Sequence, residues 1–249
     1  MTLTPADALV LPAMGLFLGS TQLFHFAPAH CHWCDGSDDV GTPGSAGAGR
    51  GSLNGVDAFF HDALTGAIFS RDTAGTISTV IAYGVVPVGA LGAAFFATGP
   101  SGSPEAGLRA AVIVVESVAV SGAATQALKL GFARKRPYIR YGSGGTAGYG
   151  IDDDESRLGF VSGHTSAVAA LGFSAAMCAQ LQKSEAAPLL WTAAATLTVL
   201  TGTLRVMAEK HYFTDVLAGA VVGAGTGTLI PLLHRRGVQF TGNGLAYNF

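Results

Sequence analysis

The stretch RVMAEKHYFTD, from Arg205 to Asp215, places charged residues and a histidine between two long apolar runs. If a helix begins near Lys210, His211 and Asp215 lie four residues apart on one of its faces. The carboxylate can then fix the imidazole tautomer and stabilise its positive form, which leaves one ring nitrogen free to attack an electrophile. The pair is a candidate nucleophile with its orienting carboxylate.

A second stretch, FVSGHTS at residues 160–166, opens another apolar run. Ser162 and Gly163 at a helix N-terminus would add backbone N–H donors and the positive end of the helix dipole, which favour a bound anion. His164 can act as a general acid that protonates a departing oxygen. This stretch therefore predicts an anion site with a proton donor.

A third stretch, KLGFARKRPY at residues 129–138, supplies Lys129 and Arg136. With Arg205 they give three positive charges, a set suited to phosphate, whose oxygens arginine binds in bidentate fashion. Each residue alone has an ordinary alternative: a chance Ser-Gly-His, a histidine in a polar contact, or basic side chains that extend to lipid headgroups. Their joint occurrence favours a site for phosphate chemistry.

Composition predicts that membrane-spanning helices position these residues. Only 12% of the 249 residues are charged, 49% are hydrophobic and the mean hydropathy is +0.42, whereas soluble domains carry about 25% charged residues. A helix needs about 20 apolar residues to cross a bilayer, and six windows qualify: 7–27, 74–98, 106–128, 161–182, 187–208 and 213–233. The sequence thus predicts an all-α polytopic membrane protein of about six transmembrane helices, with the three polar stretches on one side. A buried soluble helical bundle is the alternative.

We interpret the chain as a single membrane domain in three parts. Residues 1–73 hold the first span, a flexible loop and a surface helix; 74–234 form the catalytic helical core, and 235–249 the tail. The helical spacing of apolar residues in VDAFFHDALTGAIF predicts a helix that lies on the membrane surface. Asp7, with no Lys or Arg in the first nine residues, favours an uncleaved first span over a signal peptide. Alternation around Asn-Gly in the tail indicates a hairpin.

Other kinds of site find less support in the sequence. A net charge of -2 offers no basic surface for nucleic acid. Cys31 and Cys34 in CHWC are candidates for a disulfide, a redox pair or half of a metal site. The DDDE run at 152–155 lacks the spacing of a calcium or magnesium motif, and we interpret it as a solvated acidic loop.

Taken together, the three polar stretches resemble the type 2 phosphatidic acid phosphatase (PAP2) superfamily, which includes bacterial acid phosphatases and vanadium haloperoxidases. Its signature, KxxxxxxRP, PSGH and SRxxxxxHxxxD, corresponds here to KLGFARKRP (129–137), VSGH (161–164) and LRVMAEKHYFTD (204–215). Order and internal spacing agree. Val161 replaces the proline and Leu204 replaces the serine, and neither change removes a proposed catalytic group.

The resemblance implies a PAP2/haloperoxidase-like helical core and a phosphatase that needs no metal and no cofactor. His211 would be the nucleophile and form a phosphohistidine, Asp215 would orient it, and His164 would be the acid for the leaving group. Five residues would bind the phosphoryl oxygens: Lys129, Arg136, Ser162, Gly163 and Arg205. A six-span chain is similar to the lipid phosphate phosphatases, which act on phosphatidic acid, phosphatidylglycerol phosphate, isoprenyl diphosphates or lipid A phosphates.

The resemblance also implies location and partners. It places the chain in a bacterial inner membrane, with its site facing the periplasm and a lipid phosphate in the bilayer as its partner; no protein partner is indicated. The charge distribution disagrees, since four Lys and Arg fall on the predicted inside and ten on the outside, the reverse of the positive-inside rule. Two alternatives remain: a non-catalytic membrane protein that binds lipid phosphates, and a vanadate-dependent haloperoxidase, although those enzymes are soluble and usually much longer.

Overall fold

The computed structural model describes residues 1, 3, 7–23, 54–141, 154–235, 238–241 and 244–247. Its helices, in chain order, are α1 Asp7–Leu23, α2 Gly55–Leu64, α3 Arg71–Val80, α4 Val86–Phe96, α5 Pro104–Phe132, α6 Pro137–Arg140, α7 Gly163–Leu181, α8 Ala187–Met207 and α9 Phe213–Leu233. A π-helical segment, Ile81–Val85, joins α3 to α4, and 3-10 turns cover Gly99–Ser101 and Asp154–Arg157. Strands β1 (Val238–Thr241) and β2 (Gly244–Tyr247) pair antiparallel.

The helical class predicted from the sequence is confirmed, because each of the six apolar windows contains a helix. In the described part of the chain, four helical segments are long and apolar enough to cross a membrane: Arg71–Phe96, Pro104–Arg140, Ala187–Met207 and Phe213–Leu233. A shorter apolar helix covers Leu9–Ser20. The chain is a polytopic helical membrane protein, and the hairpin expected in the tail is its small β element.

The two predicted windows that are not among the four segments contain α1 and α7. The apolar part of α1 is short. Helix α7 is the central helix and packs against α4, α5, α8 and α9. Twelve of its 19 residues are buried, so its surroundings are protein, and its serine, threonine and glycine residues need not face lipid. The outer helices instead expose apolar side chains, such as Val88 at 75% and Val221 at 65%. These faces suit a hydrocarbon environment.

The contact between α7 and α9 depends on glycine. On the face of α9 toward α7, Gly219, Gly223 and Gly227 recur every four residues. A Cβ added at any of them would lie only 2.2 to 2.7 Å from a backbone oxygen of α7 or of its N-cap residue. Small residues let helix backbones approach closely in membrane proteins. The close approach brings the N-termini of α7 and α9 together at one end of the bundle.

Helix α2 forms where the sequence predicts a surface helix. The Asn54 side chain caps it by accepting a hydrogen bond from the Asp57 backbone N–H. Val56 and Phe59 are 51% and 66% exposed, and α2 also contacts α8 and α9. Its location on the membrane surface stays a prediction. Cys31 and Cys34 lie outside the described residues.

Candidate active site

A cavity of about 790 Å³ brings the three polar stretches together. Ser162 and Asp215 lie directly behind its wall, both fully buried, where the Ser162 backbone N–H donates to the Asp215 backbone carbonyl at 3.0 Å. The remaining site residues line the cavity itself: Lys129, Arg136, Gly163, His164, Arg205 and His211. All eight residues predicted from the sequence are therefore gathered at one end of the bundle.

His211 lies in the loop between α8 and α9, one residue before the N-cap Tyr212. The expectation that a helix begins near Lys210 and carries His211 is therefore wrong, because α9 begins at Phe213. The ring Nδ1 lies 2.7 Å from the Gly159 backbone oxygen. A carbonyl only accepts, so Nδ1 carries the proton and the Nε2 lone pair is the one available for attack.

The protonation state of His211 also suits a nucleophile. Burial lowers the pKa of this imidazole well below its ordinary value, and the positive charges of Arg136, Arg205 and Lys129 lower it further. The ring is consequently neutral near neutral pH, and a neutral imidazole has a free lone pair. Sequence spacing alone could not show this, because burial of the ring and its proximity to Lys129 and Arg136 are produced by the fold.

Asp215 is farther from His211 than the sequence suggests. Its Oδ2 lies 3.8 Å from the His211 Nδ1, which is too long for a hydrogen bond. The carboxylate instead accepts from the Tyr212 backbone N–H at 2.9 Å and forms a buried ion pair with Arg134. The Arg134 guanidinium in turn lies over the Tyr212 ring, 4.2 Å from its centre. Asp215 therefore fixes the start of α9 and places a negative charge near the imidazole.

His164, the second residue of α7, has neighbours that the sequence analysis missed. The Thr79 hydroxyl lies 2.9 Å from the Gly75 backbone oxygen and 3.3 Å from His164 Nε2. With its proton given to Gly75, this hydroxyl is an acceptor for an Nε2–H. Tyr83, on the π-helical segment, meets the His164 ring edge-on at 4.8 Å. Nε2 therefore carries the proton of the neutral ring. Burial lowers the pKa of His164 to about 2, and the positive charges of Arg205, Lys129 and Arg136 act in the same direction. The second proton that a general acid requires must therefore come with an anionic ligand, whose charge offsets these cations.

Arg136 is held rigidly for anion binding. It is 3% exposed; its Nε donates to the Glu155 backbone oxygen at 2.8 Å and its Nη2 pairs with the Glu155 carboxylate at 2.5 Å. Glu155, the last residue of the acidic run at 152–155, thus has a structural contact that the interpretation as a solvated loop did not include, although its side chain is 41% exposed; it also lines the cavity. A buried guanidinium needs such a partner to offset the loss of hydration.

Two further cations complete the positive end of the cavity. The Arg205 Nη1 lies 3.5 Å from the Ser78 hydroxyl, and Lys210, a residue not assigned to the site from sequence, lines the cavity beside it. Burial lowers the pKa of Lys210 to about 8, and the positive charges of Arg205 and Arg136 act in the same direction. A dianionic ligand would relieve the mutual repulsion of these groups.

The start of α7 has the predicted anion-site geometry. Ser162 is the N-cap, its side chain accepting from the Thr165 backbone N–H, and Gly163 is the first helical residue. A Cβ added at Gly163 would lie 3.6 Å from the Lys129 Nζ, so the ammonium group lies beside the helix N-terminus. The two departures from the signature, Val161 and Leu204, are buried at 0% and 2% exposure.

Part of the cavity wall is apolar. It is formed by residues from α1, from α3 with the π-helical segment, and from α5: Leu18, Val80, Tyr83, Val118 and Gly122. Among the described residues, no group of three or more histidine, cysteine or acidic side chains is arranged to hold a metal ion. The cavity thus joins a cationic end to an apolar side between helices.

A second layer of charged residues supports the loop that carries His211. Asp57 and His61 of α2 pair with Arg134 and Glu209 respectively. Asp57 and His61 were assigned only to the polar face of a surface helix by the sequence pattern, because their partners are about 80 or more residues away. The only sequence feature that could have indicated this role is the presence of acidic residues and a histidine on one face of α2.

The PAP2 superfamily model matches residues 110–238, slightly more than half of the chain. No curated protein and no solved structure shows significant similarity to the chain. The matched region runs from α5 to the start of β1 and contains all eight candidate site residues. The chain therefore belongs to the PAP2 superfamily, whose members are generally phosphatases that act on phosphate esters.

Proposed function

We propose that this protein is a metal-independent lipid phosphate phosphatase that works through a phosphohistidine intermediate. The observation that carries the proposal is the single cavity in which cationic side chains and two histidines face an apolar wall between membrane helices. A phosphate group suits the cationic part of this cavity, and a hydrocarbon chain suits its apolar wall. A cavity that has both features favours a substrate that is anchored in the bilayer.

In the first chemical step, the His211 Nε2 attacks phosphorus and the bond from phosphorus to the lipid oxygen breaks. His164, doubly protonated once the bound phosphate offsets the neighbouring cations, gives one proton to that oxygen, so the lipid leaves as an alcohol or, from a diphosphate, as a monophosphate. The phosphorylated imidazole is positive. Its Nδ1–H donates to the Gly159 carbonyl, and the Asp215 carboxylate at 3.8 Å stabilises the charge.

In the second step, water attacks the same phosphorus and the P–N bond breaks. His164, now neutral, takes a proton from this water, which restores both histidines and releases inorganic phosphate. Lys129, Arg136 and Arg205 stabilise the charge that develops on the phosphoryl oxygens in both transition states, as preorganised donors do. The N-terminus of α7 at Ser162 and Gly163 adds oriented backbone N–H groups.

The candidate substrates for such a lipid phosphate phosphatase are phosphatidic acid, phosphatidylglycerol phosphate, a long isoprenyl diphosphate and lipid A. We further propose that the site faces the periplasm of a bacterial inner membrane, which puts it at the headgroup level of the outer leaflet. The excess of basic residues on that side argues against this orientation. Labelling of a single introduced cysteine in spheroplasts would decide between the two faces.

The test is phosphate release from these four lipids by the purified protein in detergent, with EDTA present. His211→Gln should abolish release while keeping affinity for inorganic phosphate within a few fold, and an acid-labile phosphoenzyme should form only with His211 intact. His234→Gln is the matched control, because His234 at the far end of α9 does not line the cavity. Lipid binding without any release would identify a non-catalytic binder instead.

A further inference from the structure

Helix α2 contacts the chain on both sides of the nucleophile. It reaches Glu209, two residues before His211, and Thr214, three residues after it. Residues 54–71 precede the region matched by the family model. The α2 side of these contacts therefore lies outside the matched region, and the signature stretches do not predict it.

The first anchor is Asp57, which is 1% exposed. Its carboxylate accepts from the Thr214 backbone N–H and from the Thr214 hydroxyl, both at 2.8 Å. It also forms an ion pair with the Arg134 Nη2 at 2.8 Å, while the Nη1 of the same guanidinium pairs with Asp215. Removing one member would leave a buried charge without compensation. The anchor therefore locks the first turn of α9 to α2.

The second anchor is Glu209, which is also 1% exposed. Its carboxylate lies 2.8 Å from the His61 Nε2 of α2 and 3.0 Å from the Arg71 Nε at the start of α3. Its backbone has φ +53°, in the left-handed region that non-glycine residues rarely adopt. The two ion pairs hold this turn in place. The His211 loop is thus fixed two residues before the imidazole as well as after it.

The two phosphate-binding arginines have their main described contacts outside α2 and outside the His211 loop. Arg136 is held by Glu155 from the 3-10 turn before α7, with a longer 3.5 Å contact to the Lys210 backbone oxygen, and Arg205 projects from α8 toward Ser78. Loosening α2 should consequently displace the imidazole, and Lys210 beside it, more than it displaces Arg136 and Arg205.

We propose that α2 is a positioning element for the nucleophile: Asp57 and Glu209, with their partners, hold residues 209–215 so that His211 is aligned with the bound phosphoryl group. Asp57, Thr214 and His61 are positioning residues, since they act through the loop. The inference rests on the proposed function. A misplacement of about 1 Å at a reacting atom can lower a rate by about 100-fold.

The experiment compares Asp57→Asn with Asp62→Asn in full-length protein. Asp62 is on the same helix but 70% exposed, and its only described contact is with His61. We expect Asp57→Asn to lower kcat for lipid phosphate by about 10- to 100-fold, with the Kd for inorganic phosphate changed less than about twofold. Asp62→Asn should stay within about twofold of the wild type in both.

A second pair of variants addresses folding. Thr214→Val removes the hydroxyl that donates to Asp57 and accepts from Arg134, whereas Thr214→Ser retains it. Thr214→Val should lower kcat without changing the affinity for inorganic phosphate, and Thr214→Ser should restore kcat. Equal loss of kcat, phosphate affinity and Tm would show a merely structural role and overturn the inference. Wild-type kcat in both Asp57→Asn and Thr214→Val would also overturn it and leave the proposed function standing. Absence of turnover by the wild type itself would overturn the proposed function, and the inference with it.

Discussion

The substitution Gly219→Ala tests whether the contact between α7 and α9 sets the geometry of the site. An added Cβ would lie 2.5 Å from the Ser162 backbone oxygen, and ordinary contact begins at 3.4 Å, so the oxygen must move by about 0.9 Å. Ser162 is the N-cap of α7 and its N–H donates to the Asp215 carbonyl. The displacement therefore acts directly between His164 and the start of α9.

We expect this variant to lose about 100-fold in kcat, because a misplacement of about 1 Å costs that much when reacting groups must be aligned. Overpacking a well-packed contact should also lower stability by about 1 to 3 kcal/mol. The assay is phosphate release from the preferred lipid, with thermal unfolding measured in the same detergent. Measurements are made below the Tm of the variant so that loss of rate is not loss of folded protein.

Gly225→Ala is the matched control on the same helix. Within the described part of the chain, no atom lies within 4 Å of a Cβ added at Gly225. This variant should keep wild-type kcat and gain up to about 1 kcal/mol of stability, because alanine loses less conformational entropy in a helix. Wild-type activity in Gly219→Ala, or equal losses in both variants, would refute the reasoning.

Two further predictions concern histidine neighbours. Thr79→Val removes the oxygen that faces the His164 Nε2 at 3.3 Å, so kcat for an alkyl phosphate should fall about fivefold, the effect of one hydrogen bond. The loss should be smaller for p-nitrophenyl phosphate, whose leaving group needs no acid; equal losses on both substrates would contradict a role in proton transfer. Burial alone lowers the pKa of His61, but hydrogen bonds and charges from Glu209 and Asp62 outweigh it and raise that pKa above its ordinary 6.5. The other groups around this ring are Arg71, which shares Glu209, and the stacked Tyr141. The stabilisation by protonated His61 is therefore complete below pH 6.5 and is lost as pH rises through the raised pKa. The Tm of the wild type should fall over that window relative to His61→Gln, and parallel Tm curves would contradict this assignment.

The candidate site residues could be predicted because they are recognised by residue type and by short-range spacing. A histidine and an aspartate four apart, a Ser-Gly-His at a helix start and two basic residues before Pro137 are recognisable without coordinates. The apolar windows likewise predict the helices, since a bilayer demands about 20 apolar residues for each crossing. These features are local, so a single chain displays them directly.

Several features depended on contacts between distant segments. The partner of the His211 Nδ1 is the Gly159 carbonyl, 52 residues away, rather than the nearby Asp215 side chain. The apolar windows also did not show which helices face lipid. The window at 161–182 was predicted in the same way as its neighbours, but α7 is buried among the other helices. The bounds of α9, Phe213–Leu233, agree with the apolar window 213–233, so His211 lies just outside the helix and its orientation depends on loop contacts.

The amino-acid sequence by itself determined the PAP2 membership and the helical membrane architecture, because the signature stretches and the apolar spans are properties of short segments. The tertiary structure alone decided how His211 is held. Asp57 and Glu209 acquire their roles only when α2 packs beside α8 and α9, and the glycines of α9 do so only when α7 approaches to van der Waals contact. Pairings across 77 to 157 residues leave no local pattern, since burial and close packing are produced by the fold as a whole.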